Sequence, residues 1–204
     1  MWFVIEFYFC RIFLYTKIKI YIKISRNEDD RMINVVLFQP EKPMNTGNIM
    51  RTCKASDTKL HIIGPLTYKI DDKGLKRAGM DYLIDFEYDY YDSYEDFMNR
   101  NNNPEVYFIT RYGFKAPSEE DFSDYNKEIF VMFGKESSGI PKYILKQHLD
   151  KCYRLPMRAD TRSLNLSNCV AIVVYEILRQ QNYISLARHE VLKGEEFLIN
   201  CDDK

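Results

Sequence analysis

The amino-acid sequence predicts an α/β fold built on a parallel β-sheet. Short runs rich in β-branched and aromatic residues alternate with segments of helical spacing or turn signals: INVVLF (33–38), LHIIG (60–64), VYFIT (106–110) and IFVMFG (129–134). This alternation is typical of βαβ units, in which the strands are parallel. Because the runs are continuously apolar, we expect helices to cover both faces of the sheet.

Length and composition fit one soluble domain. The chain has 204 residues, of which 46% are hydrophobic and 29% are charged, and this is enough to bury a sizeable core. Its five cysteines form no CxxC pair, and its three histidines lie far apart in the sequence. We therefore expect no metal site and no disulfide framework, and a reducing, cytoplasmic location fits best.

The charge of the chain is unevenly distributed. The formal net charge of −1 argues against a protein that is held to nucleic acid by bulk positive charge. Residues 32–80, however, contain eight Lys and Arg against four Asp and Glu, whereas residues 81–96 contain seven acids and no Lys or Arg. The net charge thus hides a basic region at the start of the predicted domain.

The first 31 residues differ from the rest in their bias toward Phe, Tyr, Ile and Lys. Glu6 and Arg11 interrupt the apolar run, and the positive charges follow that run instead of preceding it. Neither a membrane span nor a secretory signal is well matched. We expect residues 1–31 to be an extension outside the fold, with Met32 as an alternative start and no membrane partner. Membrane or organellar targeting is the alternative.

The segments between the strands predict where a ligand binds. After the first strand comes the loop PEKPMNTG, and we expect Asn45 or Thr46 to cap the following helix. A short helix is expected over 74–80, and a last strand over 153–157 stops at Pro156. In an open α/β sheet, ligands bind beyond the carboxyl ends of the strands, where these loops meet.

The last predicted helix, over residues 167–182, is apolar nearly all round. One stripe has the i, i+3, i+4, i+7 spacing of a core-facing helix, and it consists of Val170, Val173, Val174, Ile177 and Leu178. Ala171, Ile172 and Tyr175 make the other side apolar as well. This helix is therefore either central to the core or covered by a second subunit.

Three polar stretches follow predicted strands and are candidates for chemistry: NTGNIMR (45–51), FGKESSGIP (133–141) and LPMRADTRSLNLSNC (155–169). None contains a dinucleotide or P-loop fingerprint. Taken singly, their residues have structural interpretations: the glycines as turn residues, and Asn165 and Ser167 as helix caps.

Taken together and in order, these stretches resemble the SPOUT, or α/β-knot, RNA methyltransferases, and specifically the tRNA wobble-nucleotide 2′-O-methyltransferases. The similarity covers about residues 32–183, from INVVLFQPEKPMNTGNIMR through DDKGLKRAGMDY and MFGKESSGIP to RLPMRADTRSLNLSNCVAIVVYE. It leaves out residues 1–31 and the tail 184–204. It implies a C-terminal trefoil knot, which is rare in proteins, S-adenosylmethionine (SAM) bound at the knot, and a homodimer with the active site near the subunit interface.

The resemblance also assigns site residues. It implies a SAM pocket with apolar walls and a close backbone approach at glycine, formed by Ile109, Thr110, Gly134, Glu136, Gly139, Leu155 and Ser163. It implies catalytic positions at Asn45, Arg51, Ser163 and Asn165. A guanidinium is always protonated, so we expect Arg51 to position a phosphate or stabilise oxyanion charge instead of acting as a base. For Glu136 the alternative is binding of a loop amide, and for the two asparagines and Ser163 it is a structural role.

The implied reaction is SAM-dependent methyl transfer to the ribose 2′-oxygen of the wobble nucleotide of tRNA, a cytidine or a modified uridine. Phosphate contacts are expected from Lys73, Lys76, Arg77, Arg158 and Arg162, with a solvated charged surface as the alternative. Two other functions stay open: a knot-fold 2′-O-methyltransferase with another tRNA or rRNA target, and a catalytically silent dimeric RNA-binding relative. The intact motif residues favour an active enzyme.

Overall fold

A computed structural model of the chain describes residues 32–69, 86–184 and 186–201. The predicted extension (1–31) and the predicted short helix (74–80) lie outside the described residues. The same holds for three of the predicted RNA-binding residues, Lys73, Lys76 and Arg77.

The described chain forms one six-stranded sheet in which every paired neighbour is parallel. The spatial order is β3-β2-β1-β5-β4-β6. The strands are β1 Ile33–Phe38, β2 Lys59–Ile63, β3 Asp89–Tyr91, β4 Val106–Ile109, β5 Ile129–Phe133 and β6 Cys152–Tyr153. The predicted α/β class with a parallel sheet is confirmed.

Helices cover both faces of this sheet, as the apolar strands predict. One hydrophobic cluster joins one sheet face to α1 and α4, and a second cluster joins the opposite face to α2 and α3. The helices are α1 Pro43–Ser56, α2 Tyr94–Arg100, α3 Lys142–Gln147, α4 Leu166–Gln180 and α5 Phe197–Asn200. No helix within the described ranges combines the length and apolar content of a membrane span.

Strand β1 shows why the apolar runs are continuous. All six of its residues are buried, with Val35 and Leu37 in the first cluster and Val36 and Phe38 in the second. Successive side chains of a strand point to opposite faces, so a strand between two helical layers needs apolar residues at every position. Full burial of a side chain such as Leu37 stabilises the fold by about 1.5–3 kcal/mol.

The predicted caps of the two long helices have different outcomes. Helix α1 begins at Pro43, and Asn45 and Thr46 lie inside its first turn, so the prediction that either residue caps it is wrong. Proline suits the first helical position, because its missing N–H has no intrahelical acceptor there. Asn165 caps α4 as expected, since its side-chain oxygen accepts from the N–H of Ser167 at 2.9 Å. Ser167 is the second residue of that helix and is buried, so its interpretation as a cap is wrong.

The edges of the sheet depart most from the sequence prediction. Strand β6 ends at Tyr153, whereas the prediction extends it to residue 157. Arg154 is bonded to a loop instead, because its N–H donates to the Lys115 carbonyl at 2.8 Å. Edge strand β3 lies within the acidic stretch 81–96, where no strand is predicted. Helix α2 begins in the same stretch and ends at Arg100.

Candidate functional site

The segments that follow β1, β5, β4 and β6 meet at one edge of the sheet. These four strands are neighbours, and the register aligns Leu37 with Phe133, Phe133 with Ile109, and Ile109 with Tyr153. Because all four strands run in the same direction, their carboxyl ends open onto the same edge. The three polar stretches of the sequence therefore converge, as predicted.

Glu136 links the segment after β5 to the segment after β1. One carboxylate oxygen, Oε2, accepts the backbone N–H of Glu41 at 2.8 Å. The other, Oε1, accepts the Lys42 N–H at 3.2 Å and the side-chain amide of Asn45 at 2.8 Å. Charge-assisted bonds of this kind are stronger than bonds between neutral groups. Glu136 thus binds loop amides, which is the alternative interpretation of this residue.

Asn45 extends the same network to the third stretch. Its side-chain oxygen accepts the Asn165 amide at 3.0 Å, and its own side chain is 5% exposed. Asn165 in turn accepts from Ser167, at 2.9 Å from the backbone N–H and 2.6 Å from the hydroxyl. We name Asn45, Glu136 and Asn165 the strand-end network. It joins one residue from each of the three candidate stretches by direct hydrogen bonds.

A second link between the segments that follow β5 and β1 is not predicted from sequence. The backbone N–H of Ser137 donates to Glu41 Oε2 at 2.8 Å, and the Ser137 hydroxyl donates to Oε1 at 2.7 Å. These two bonds lower the pKa of the Glu41 carboxyl, so the group is ionised at neutral pH. The two residues are 96 positions apart, and a lone Glu and a lone Ser at that separation give no sequence signal.

Gly134 and Gly139 shape the turn after β5. A Cβ atom on Gly134 would lie 2.1 Å from the Gly139 carbonyl carbon and 2.2 Å from the Ile140 nitrogen. Gly139 has φ +74°, a left-handed conformation that glycine adopts without strain. The resemblance predicts that Gly134 lets the backbone approach a cofactor closely. In the structure, the space that a Cβ atom of this residue would fill is occupied by the backbone of Gly139 and Ile140.

Ile109, Thr110 and Leu155 lie together at the ends of β4 and β6. The Thr110 N–H donates to the Tyr153 carbonyl at 2.8 Å, which holds the two strand ends together. Ile109 and Leu155 pack against the first core cluster and are half-buried. Half-buried apolar side chains beside main-chain hydrogen-bonding groups are suited to line a ligand pocket.

The charged candidates lie on the surface of the same elements. Arg51 is exposed on α1, the helix that carries Asn45, while Arg162 and Ser163 are exposed between β6 and α4. Arg158 forms a bidentate pair with Asp160, at 3.1 and 3.0 Å. Surface pairs of this kind contribute little to stability, so Arg158 can exchange its partner for a phosphate at small cost.

Tyr68 is a further residue at this edge, and sequence reasoning did not single it out. Its hydroxyl lies 2.5 Å from the hydroxyl of Thr46 in the first turn of α1. Burial raises the pKa of Tyr68 to about 12, so this phenol stays protonated at neutral pH and does not serve as a base. Within the described residues, no group of three or more His, Cys, Asp or Glu side chains could hold a metal ion.

The sequence is similar to known methyltransferases over most of this domain. Residues 32–175 match the model of the SpoU rRNA Methylase family. A Geobacillus stearothermophilus protein, provisionally named a tRNA (cytidine(34)-2′-O)-methyltransferase, is 51% identical over 76% of this chain and 99% of its own length. The Escherichia coli strain K12 protein named tRNA (cytidine(34)-2′-O)-methyltransferase is 40% identical over 74% of this chain and 96% of its own length.

Solved structures share the fold. One, described as giving structural insights into 2-OH methylation of C/U34 on tRNA, has a TM-score of 0.67 and 33% identity, and covers 76% of this chain and 99% of that chain. The SpoU methyltransferase AviRb of Streptomyces viridochromogenes, solved with AdoMet, has a TM-score of 0.62 and 22% identity, and covers 79% of this chain and 64% of that chain. This second likeness concerns the fold alone. The chain therefore belongs to the SpoU rRNA Methylase family, and its predicted membership of the SPOUT RNA methyltransferases is confirmed.

Proposed function

We propose that this chain transfers a methyl group from SAM to the ribose 2′-oxygen of the wobble nucleotide of tRNA. The observation that carries the proposal is the strand-end network, which brings the three motif stretches together at the ligand-binding edge of the sheet. The choice of nucleotide is supported by the Escherichia coli relative, which is named for cytidine 34 and is covered over 96% of its length.

SAM supplies a methyl group on a positively charged sulfur, and the residues of this chain hold it. Ile109 and Leu155 form apolar walls, and the turn at Gly134 and Gly139 presents main-chain groups to the cofactor. The family implies a trefoil knot, and in this proposal the segment after β6, including Ser163, closes around the same site. The strand-end network fixes these segments relative to each other, so Asn45, Glu136 and Asn165 act as positioning residues.

Methyl transfer would be an in-line displacement, in which the 2′-oxygen forms a bond to the methyl carbon as the bond to sulfur breaks. The sulfur would keep the electron pair of that bond, and the hydroxyl proton would pass to water. Much of the acceleration comes from holding the hydroxyl about 3–3.5 Å from that carbon and in line with the sulfur. Arg51 has no lone pair with which to take the hydroxyl proton. Its proposed role is to hold the neighbouring phosphate and to stabilise negative charge developing on the oxygen.

The proposal includes a homodimer built on α4. The buried stripe of this helix faces the core, while Ile172 and Tyr175 on the other side are 46% and 44% exposed in the single chain. The same helix begins at its cap Asn165, a member of the strand-end network. A partner that covers Ile172 and Tyr175 therefore lies close to the site. We place the dimer in the cytoplasm, where its tRNA substrate is found.

The test is methyl transfer from radiolabelled SAM to three tRNA transcripts that differ only at the wobble nucleotide. The first has cytidine 34, the second uridine 34, and the third 2′-deoxycytidine 34, which lacks the acceptor oxygen. We expect label in the first or second transcript and none in the third.

Each other outcome identifies an alternative. Equal labelling of the deoxy transcript would mean that another tRNA position is methylated. The same assay is run with ribosomal RNA as the substrate. Label in ribosomal RNA and in none of the tRNA transcripts would favour an rRNA target. No transfer to either RNA, from a folded protein that binds SAM in calorimetry, would mean that the chain is a silent relative.

A further inference from the structure

We propose that residues 111–115, the loop RYGFK after β4, form a stacking platform for an unpaired base of the RNA substrate. This inference rests on the proposed function and names the part of the substrate that the loop recognises. The base belongs to the anticodon loop and lies next to the nucleotide that is methylated. This loop contains none of the motif residues and no member of the strand-end network.

Two aromatic rings of the loop point away from the core. Phe114 is 84% exposed, and Tyr112 is 57% exposed. A single exposed apolar residue needs no explanation, but two aromatic residues two positions apart, next to a ligand-binding edge, form a local apolar surface. Such rings stack on the faces of unpaired bases.

The loop is held rigidly against β6. Lys115 forms a bridge with Tyr153, and its carbonyl accepts the Arg154 N–H at 2.8 Å. A Cβ atom on Gly113 would lie 2.3 Å from the carbonyl carbon of Tyr153, so only glycine allows this close approach. Because Gly113 and Lys115 on either side of Phe114 are fixed against Tyr153, the backbone holds the Phe114 side chain in its exposed position. A ring that is already positioned loses little conformational entropy when it binds.

The charges of the loop suit a nucleic acid. Arg111 and Lys115 flank the two rings, and the Arg154 guanidinium donates to the Arg111 carbonyl at 3.2 Å. The acids that follow fold back onto the protein: Glu119 accepts the N–H of Ala116, and Glu120 accepts the hydroxyl of Tyr153. Alternating cations and aromatic rings bind the backbone and the bases of single-stranded nucleic acid at the same time.

A second copy of the chain is a poorer occupant than RNA. In a two-fold symmetric contact through this loop, Arg111 and Lys115 would face the same cations of the other copy, and like charges in an interface are costly. An RNA loop offers phosphates to the cations and base faces to the rings. The loop also begins two residues after Ile109, at the edge where the methyl acceptor is proposed to bind.

The experiment measures binding of the full chain to a fluorescein-labelled anticodon stem-loop RNA by anisotropy, with three substitutions of Phe114. Phe114→Ala removes the side chain, Phe114→Leu keeps apolar bulk without a ring, and Phe114→Trp keeps a ring. We expect the first two to weaken binding about 10-fold and the third to preserve it, since stacking requires an aromatic face. The control is Tyr125→Leu, at a half-exposed tyrosine that precedes β5 and so lies toward the amino edge of the sheet.

A scan of abasic nucleotides through the RNA loop identifies the stacked base. At that nucleotide, removal of the base should weaken binding by the wild-type chain but not by the Phe114→Leu variant. SAM affinity, measured by calorimetry, should be the same in every variant. Equal RNA affinity of the wild-type chain and the Phe114→Leu variant would overturn the inference, and so would a loss of dimer mass in Phe114→Ala.

A second probe separates this inference from the proposed function. If the wild-type chain methylates no tRNA, the proposed function fails. Binding of a single-stranded 12-nucleotide RNA by the wild-type and Phe114→Leu chains then still decides whether the loop is a stacking platform. Weaker binding by the variant supports the inference, and equal binding overturns it.

Discussion

The side-chain amide of Asn165 donates to the side-chain oxygen of Asn45 at 3.0 Å, although 120 residues separate the two in the chain. The same oxygen of Asn165 that caps α4 also accepts the Ser167 hydroxyl, while Asn45 donates to Glu136 at 2.8 Å. The start of one helix is thus tied to the first turn of another through two amides. Since Asn45 is almost completely buried, loss of either partner leaves a polar group without a hydrogen bond.

Replacing Asn45 by Ala should destabilise the fold by about 2 kcal/mol, because Glu136 loses a donor and the Asn165 amide loses its acceptor. The free energy of unfolding in urea measures this loss. Asn168→Ala is the control, since residue 168 is exposed and contributes only its backbone N–H to the Asn165 cap. If Asn45→Ala lowers the free energy of unfolding no more than Asn168→Ala does, the network does not stabilise the site.

The two glycines after β5 should tolerate different substitutions. Gly134→Ala places a Cβ atom against the backbone of Gly139 and should cost about 3 kcal/mol. Gly139→Asn should cost less than Gly139→Ala, because Asn tolerates the left-handed conformation and open space surrounds that position. Thermal unfolding and SAM calorimetry measure the two effects. If Gly134→Ala unfolds like the wild-type chain and only SAM binding is lost, the glycine serves the cofactor and not the turn.

His61 should make stability depend on pH between about 6.5 and 4. Its imidazole is 1% exposed, with Nε2 2.9 Å from Asn34 Oδ1 and Nδ1 2.9 Å from the Tyr91 hydroxyl. Burial, with a smaller effect of Lys59, lowers the pKa of His61 from 6.5 to about 4. The unfolded chain therefore binds a proton at a higher pH than the folded chain, and stability falls as the pH falls through this range.

Between pH 7 and pH 5 the free energy of unfolding should drop by about 2 kcal/mol, since each pKa unit corresponds to about 1.4 kcal/mol. The Glu41, Glu105 and Glu176 carboxyls have pKa values lowered from 4.5, so they make stability fall mainly below about pH 5. His61→Gln should flatten the dependence, whereas His189→Gln, at an exposed histidine, should not. An unchanged slope in His61→Gln would assign the effect to another group.

Arg51→Ala should lower the rate of methyl transfer about 100-fold or more if the guanidinium stabilises developing negative charge. Arg51→Lys should recover part of the rate, because it keeps the charge but loses the planar fork of donors. The dependence of the rate on pH should keep its shape in Arg51→Lys. A profile that acquires a new ionisation near the pKa of lysine would indicate that residue 51 itself exchanges the proton.

Ile172→Glu should produce a monomer with reduced methyl transfer, because the exposed apolar face of α4 is proposed to bind a second copy. Sedimentation and the transfer assay measure the two changes on the same samples. Leu149→Glu, at an exposed leucine that precedes β6, is the matched control. An Ile172→Glu monomer with full activity would separate dimerisation from catalysis, and an unchanged dimer would place the interface elsewhere.

The central strands are predictable from sequence because they are buried on both faces. The runs 33–38 and 129–134 agree with β1 and β5 to within one residue. Edge strand β3 is not, because its three residues, Asp89, Tyr90 and Tyr91, have no continuous apolar pattern. The position of Asp89 depends on Lys59 of the neighbouring strand, 2.9 Å away, and no local pattern encodes that contact.

The candidate site is only partly predictable for the same reason. The cap at Asn165 is a local signal, and its prediction is confirmed. The bonds of Glu136 to the segment after β1 join residues more than 90 positions apart, so sequence reasoning leaves them as one alternative among several. The RYGFK loop has a local signal, namely aromatic residues interleaved with basic ones, but its exposure depends on the contact of Gly113 with β6.

The long separations within the strand-end network also determine when the site forms during synthesis. Contacts between residues 91 and 120 positions apart form late in folding. The conformational entropy of the long intervening segment must be lost before such a bond can stabilise the chain. The ribosome synthesises the chain from the N-terminus at about 5–20 residues per second, so β1 and α1 are made several seconds before α4. Until Asn165 arrives, Asn45 has no amide partner. The strand-end network is therefore completed only after residue 165 has been made, and shorter nascent chains lack its bond between Asn45 and Asn165.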